Sequence, residues 1–302
     1  MISFKHATKE MKPYLINAIC ECFGDQKEIV NYFFDNKFST DNCFVCVKDG
    51  AVAASLHTME QKLILNEKIY KSSYIYAACT LPQYRNQGYM KKLLKYTEDC
   101  LKAKGNCFAF LVPGSLGLVN FYQKAGYQNF FKTKTISLEK DDIINHFYKK
   151  PSNLINFSET SVEYLRFNVY NKFNGIMYSN EDIEYAKKFY EKFGGKTVYA
   201  PKGYAICLPV DNSVLEVKDF TCNSSSLPHI MSEIINYFPN YEKYLIKTNP
   251  ENNLFENNLF ENNLPQICKS TNFYGMIKPL KSEYCQIIKN FETNAYLGLA
   301  LD

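Results

Sequence analysis

The segment that most restricts what this chain can fold into is YRNQGYMKK, Tyr84 to Lys92, which sets one glycine between a strand pattern and a helix pattern. Before it, SSYIYAACT from Ser72 to Thr80 is β-branched, aromatic and small, which predicts a buried strand. After it, MKKLLKYTEDCLKAKG places Met90, Leu93, Leu94, Thr97 and Leu101 on one face at helical spacing, with Gly105 as the stop. Backbone N–H groups in the first turn of a helix have no intrahelical partner and carry partial positive charge, so a strand, tight loop and helix in this order can hold an anion. Gly88 lets the backbone approach that anion closely, and Arg85 and Lys91 add full charges beside it.

Two common phosphate binders are excluded by the loop itself. A Walker A loop needs a longer glycine spacing and a Lys-Ser or Lys-Thr pair, and a dinucleotide fingerprint needs two further glycines. The run Arg85, Asn86, Gln87, Gly88, Tyr89, Met90 instead resembles the acetyl-CoA loop of the GCN5-related N-acetyltransferases (GNAT), which reads Gln or Arg, two residues, Gly, one residue, then Gly or Ala. Met90 departs from the small residue of the wider family. A branch related to the enhanced-intracellular-survival acetyltransferases accepts a larger residue there, and TLPQYRNQGYMKKLL is similar to that branch. A second motif follows in order. NCFAFLV, Asn106 to Val112, predicts another strand, and PGSLGLVNFYQKAGY, Pro113 to Tyr127, predicts a short helix ending at Gly126. Its FYQKAGY resembles the family's aromatic pair followed by Gly and an aromatic.

The resemblance implies an α/β (α+β) fold, a mixed and mostly antiparallel sheet flanked by helices, with acetyl-CoA as cosubstrate and no metal. It implies that the strand before the loop splays from its neighbour, so that backbone groups of Ala78, Cys79 and Thr80 bond the pantetheine arm. An N–H there would face the thioester carbonyl and stabilise the oxyanion formed on attack. Asn86, Gln87, Gly88, Tyr89, Met90 and Lys91, with Arg85, would hold the pyrophosphate. Tyr122, four residues before Gly126, matches the family's general acid for the departing thiolate. The acceptor would be a primary amine of a small molecule or peptide; relatives act on aminoglycosides, polyamines, small amines and protein lysines, and often form homo-oligomers. A base must take a proton from an amine whose ordinary pKa is about 10. His57 and Glu60 on one strand and Asp25, Glu28 and Asp35 on early helices are candidates, each with an ordinary structural explanation. A further candidate is Asp302, because AYLGLALD is apolar up to its last residue and is expected to dock, and in the similar branch the C-terminal carboxylate reaches the transfer site.

The chain has 302 residues, which predicts two domains, here 1–145 and 152–302. In the first, ISFKHA reads as a strand, TKEMKPYLINAICECFG and EIVNYFFDNKF as helices, and NCFVCVKDGAVAASLHTMEQ as a hairpin turning at Asp49 and Gly50. A second hairpin turns near Asn66, and NFFKTKTISLEK supplies the closing strands of this sheet. The second domain is similar to a degenerate copy of the first. DIEYAKKFYEKFGGK is a helix, KTVYAPKGYAICLPVDNSVLEVKDF gives three strands, and TCNSSSLPHIMSEIINYF stands where a cofactor loop would be, with neither glycine nor arginine. ENNLF, repeated between Glu251 and Pro265, reads as a surface loop lengthened by duplication.

A net charge of +4 with scattered basic residues does not point to nucleic acid. The absence of an apolar run long enough for a span or a leader leads to the expectation of a cytoplasmic protein with no membrane partner. Its 11 cysteines are then expected reduced, and the CxxC of Cys43 and Cys46 would point to opposite faces of a strand without completing a metal site. Two functions fit the sequence: an N-acetyltransferase working by direct transfer in a ternary complex, or a catalytically silent acyl-CoA-binding sensor or scaffold.

Overall fold

Asp49 and Gly50, with φ of 48° and 87°, close the first hairpin, and Asn66 and Glu67, with φ of 48° and 65°, close the second. Positive φ at both central residues is the two-residue hairpin geometry that matches strand twist, and it falls where the turn residues predict. The structure, a computed structural model, describes residues 1–147, Leu165, 174–255, 268–289 and 294–299.

The elements run β1 (Ile2–His6), α1 (Lys12–Phe23), α2 (Lys27–Asn36), β2 (Cys43–Lys48), β3 (Ala51–Leu65), β4 (Lys68–Thr80), α3 (Tyr89–Ala103), β5 (Phe108–Leu111), α4 (Leu116–Lys124) and β6 (Gln128–Glu139). They continue with α5 (Lys140–His146), β7 (Gly175–Met177), α6 (Asn180–Glu191), β8 (Lys196–Ala200), β9 (Gly203–Pro209), β10 (Val214–Cys222), α7 (Leu227–Tyr237), β11 (Lys243–Thr248), β12 (Cys268–Pro279) and α8 (Cys285–Lys289). Two compact units result, neither continuous in sequence. The first holds Met1–Leu63, Ile69–Asn129 and the described residues from Gly275 to Lys289; the second holds Ile64–Lys68, the described residues between Phe130 and Tyr274, and 294–299.

The first unit is a mixed sheet in the order β1-β2-β3-β4-β5-β12. Strands β1, β2 and β3 pair antiparallel, and β4 pairs parallel with β5. Pleating sends alternate residues of β2 and β3 to opposite faces. On one face Phe44, Cys46 and Leu56 pack with Leu93, Leu94 and Leu101 of α3 and Tyr122 of α4. On the other, His57 lies against Phe33 and Phe34 of α2. Helix α1 carries Pro13 in its first turn and ends at Gly24, whose φ of 77° gives the left-handed stop.

The closing strand departs from expectation. NFFKTKTISLEK forms one strand, β6, and its residues Lys134–Glu139 pair antiparallel with β11 in the second unit. The place beside β5 goes to Met276–Pro279 of β12, which runs antiparallel to Phe108–Leu111. All four residues of β5 are buried, so its ladder needs a partner on each side, and the apolar Met276 and Ile277 supply one from far along the chain.

In the second unit β6-β11-β10-β9-β8 lie side by side. Here β10, α7 and β11 repeat the strand, helix, parallel strand order of β4, α3 and β5, with Val214–Val217 opposite Lys243–Ile246. The tail docks as its composition predicts: Ala295, Tyr296, Leu297 and Leu299 are buried, and Tyr296 bridges Gly175. Tyr296 and Tyr204 both donate hydroxyl hydrogen bonds to the buried Asp219. The reading of ENNLF as surface loop fails for its first copy. Leu254 and Phe255 belong to the apolar core of this unit, and the Lys134 ammonium donates to the Asn252 carbonyl at 2.6 Å. The later copies lie outside the described residues.

Candidate active site

Strand β4 carries one residue in a conformation that L-residues avoid, Ala77 at φ 48°. A left-handed residue inside a strand bends it and turns the following backbone groups away from the ladder. The β4–β5 register runs from Ser72–Phe108 to Tyr74–Phe110, and β5 stops at Leu111 while β4 continues to Thr80. Residues 75–80 therefore extend beyond the ladder shared with β5, and they include Ala78, Cys79 and Thr80.

After Thr80 the chain makes a single 3-10 turn, Pro82–Tyr84, and then enters α3 through Asn86 at φ 62° and Gly88 at φ 75°. Gly88 is the helix N-cap and has no side chain to occupy the first-turn N–H groups. Two left-handed residues so close to an uncapped helix start make a concave set of N–H donors suited to an anion. Gln87 is held at the rim: its Oε1 accepts from the Tyr89 hydroxyl at 2.9 Å and from the Lys48 ammonium at 3.3 Å. Tyr89 is buried and the Met90 side chain packs against the same core, so the large residue at 90 is taken up by packing under the helix. Lys91 is exposed on the first turn of α3. The Arg85 Nε donates to the Thr80 carbonyl at 3.1 Å, tying the loop back onto the end of β4.

Tyr122 lies on α4, 7% exposed, between the rings of Phe121 and Tyr127. Burial pushes its phenol up to about 12, so it is protonated throughout the neutral range. His57 is 0% exposed inside the ring cage of Phe33, Phe34 and Phe38, and neither ring nitrogen has a hydrogen-bond partner among the described residues. Burial pushes it down to about 3, so it is neutral at pH 7 and a weak base. Glu60 pairs with Lys71 and Asp35 with Lys12 on the surface. Burial raises the Asp25 carboxyl above its ordinary value. Asp302 lies outside the described residues.

Three features of this region had no signal in the sequence. Lys48 reaches the loop from the far end of β2, its ammonium 5.8 Å and 5.7 Å from the ring centres of Tyr84 and Tyr89. Cys22, at the end of α1, donates to the Thr80 carbonyl at 3.5 Å. Glu98, 4% exposed on α3, pairs at 2.6 Å with Lys278 of β12, which also donates to the Ala125 carbonyl at the end of α4 at 2.7 Å.

The second unit places a different loop at the matching position. The Asn223 side chain accepts from the Ser226 N–H at 2.9 Å, and Pro228 opens α7 without an N–H. No residue from Asn223 to Pro228 has positive φ. A loop that caps itself and lacks the left-handed pair offers no cradle for a phosphate.

Residues 3–130 match the family model described as acetyltransferase (GNAT) domain. No curated protein matches the sequence. Among solved structures, a GCN5-related N-acetyltransferase from Anabaena variabilis is similar with a TM-score of 0.71 at 17% identity, covering 93% of this chain and 73% of that one. One from Kribbella flavida has a TM-score of 0.71 at 11% identity, with 92% and 70% covered. Eis1 from Mycobacterium abscessus has a TM-score of 0.66 at 9% identity, with 93% and 74% covered. The chain thus has a GNAT-like fold over most of its length. No helix among the described residues is long and apolar enough to cross a membrane.

Proposed function

We propose that this GNAT-fold chain, whose residues 3–130 match the acetyltransferase family model, is an N-acetyltransferase that moves acetyl from acetyl-CoA directly to a primary amine. The observation that carries this reading is the uncapped start of α3, where Asn86 and Gly88 turn N–H groups outward at the end of a strand that outruns its parallel neighbour. Backbone groups from Asn86 to Lys91 would hold the pyrophosphate, with the Lys48 ammonium close by. Ala78, Cys79 and Thr80 would present backbone to the pantetheine arm. Acetyl-CoA supplies the activated thioester.

Tyr122 serves as hydrogen donor to the leaving sulfur. An ordinary thiol has a pKa of about 8.5, so a full proton transfer from a phenol near 12 is unfavourable by a factor of about three thousand. Its hydroxyl fits stabilisation of the departing thiolate by a hydrogen bond, with the proton completed from solvent. Initial rates with polyamine, aminoglycoside and lysine-peptide acceptors test the assignment. Tyr122→Phe should lower kcat about 100-fold while acetyl-CoA affinity holds. A wild-type protein that binds acetyl-CoA and turns over none of these amines would favour the silent sensor or scaffold.

A further inference from the structure

The end of β4 holds a pair of thiols that the transfer reaction does not use. Cys79 is 4% exposed, and its sulfur lies 3.3 Å from the Ser55 hydroxyl. Cys22, partly exposed on α1, donates to the carbonyl of the next residue, Thr80, at 3.5 Å, so its sulfur lies one residue along the strand from Cys79. Arg85 is fixed there by its own bond to the Thr80 carbonyl at 3.1 Å. One thiol is therefore partly exposed and shares the Thr80 carbonyl with a guanidinium, and the other is buried one residue back on the same strand.

We infer that Cys22 and Cys79 form an oxidation site at which a hydroperoxide closes an intramolecular disulfide between α1 and β4. The Cys22 thiolate attacks the outer oxygen of ROOH, the O–O bond breaks, and Cys22 becomes a sulfenic acid while RO⁻ leaves and takes a proton to give ROH. The Cys79 sulfur then attacks the Cys22 sulfur, the S–O bond breaks, and hydroxide leaves with the Cys79 proton as water. Two thiols are oxidised and one peroxide is reduced, with no other reactant. The electrostatics suit this division of labour. The interaction with Cys79 and the neighbouring Arg85 lower Cys22 to about 7, so about half of it is thiolate at neutral pH, whereas Cys79 is raised by its interaction with Cys22, by burial and by the Cys22 charge. Oxidation of Cys22 to the neutral sulfenic acid removes that opposing charge just when Cys79 must react.

The test uses the full chain, reduced and then exposed to hydrogen peroxide at pH 7, quenched with a maleimide, digested without reductant and mapped by mass spectrometry. The expected result is a Cys22–Cys79 linked peptide that disappears on treatment with dithiothreitol and forms before the exposed Cys268 is oxidised. Cys79→Ser should leave Cys22 as a trappable sulfenic acid. The inference is overturned if Cys22 proceeds to sulfinic acid in the wild type without a linked peptide, or if Cys268 is consumed while Cys22 stays reduced.

Discussion

Gly88→Glu is expected to weaken acetyl-CoA binding at least 100-fold. At φ 75° an L-residue is strained by about 1–2 kcal/mol. A Cβ at Gly88 meets nothing within 4 Å, so the substitution does not collide with the fold; it puts a carboxylate where the pyrophosphate should sit. Gly88→Ala separates the two effects, because it carries the strain without the charge and should weaken binding far less. Isothermal titration on the three proteins reads the difference. Equal losses in the two variants would place the effect in the backbone and remove the argument for an anion at this helix start.

Lys278→Met is expected to destabilise the protein by about 3 kcal/mol. It leaves the Glu98 carboxyl buried without its cation and also removes the donor to the Ala125 carbonyl. Methionine keeps the length of the stem, so the loss is not one of packing. The pH dependence follows from Glu98, whose carboxyl burial already raises above its ordinary value. A carboxyl with a raised folded pKa binds its proton more tightly in the folded state. Stability then falls as pH rises from the unfolded value, about 4.3, through the folded one, and is flat above it. Removing the lysine raises the folded pKa further, so the gap between wild type and variant should be widest near pH 7 and narrow toward pH 5. Glu98→Met combined with Lys278→Met should recover most of the loss, because no unpaired charge remains. Urea unfolding at the two pH values checks both statements; a gap independent of pH would contradict the role given to Glu98.

The loop from Tyr84 to Lys92 was legible because its information is local. A glycine needing positive φ, basic neighbours and an apolar period of helical spacing all lie within one short stretch, and both hairpin turns were marked in the same way. The buried Glu98 was not legible, although it stands four residues after Leu94 and three before Leu101 on the face that packs. A glutamate in a helix reads as solvated until its partner is known, and Lys278 lies 180 positions away. The same distance problem hid the strand beside β5. β6 and β12 are both acceptable edge partners by pattern, and only tertiary pairing assigns β6 to β11 and Met276–Pro279 to β5. Cys22 is brought to the end of β4, beside the residue after Cys79, by tertiary packing that no spacing rule encodes. Composition misled in one place: Asn-rich ENNLF suggested a loop throughout, yet Leu254 and Phe255 of its first copy fill the second unit's core.

The most direct test of the proposed function is the stoichiometry of acetyl-CoA binding to the wild-type chain by isothermal titration. Among the described residues, one uncapped helix start with its left-handed pair in the first unit, and a self-capped loop at the matching place in the second, predict one molecule bound per chain. No binding would contradict the acetyltransferase reading, and two molecules per chain would contradict the argument that the Asn223 loop cannot hold a phosphate.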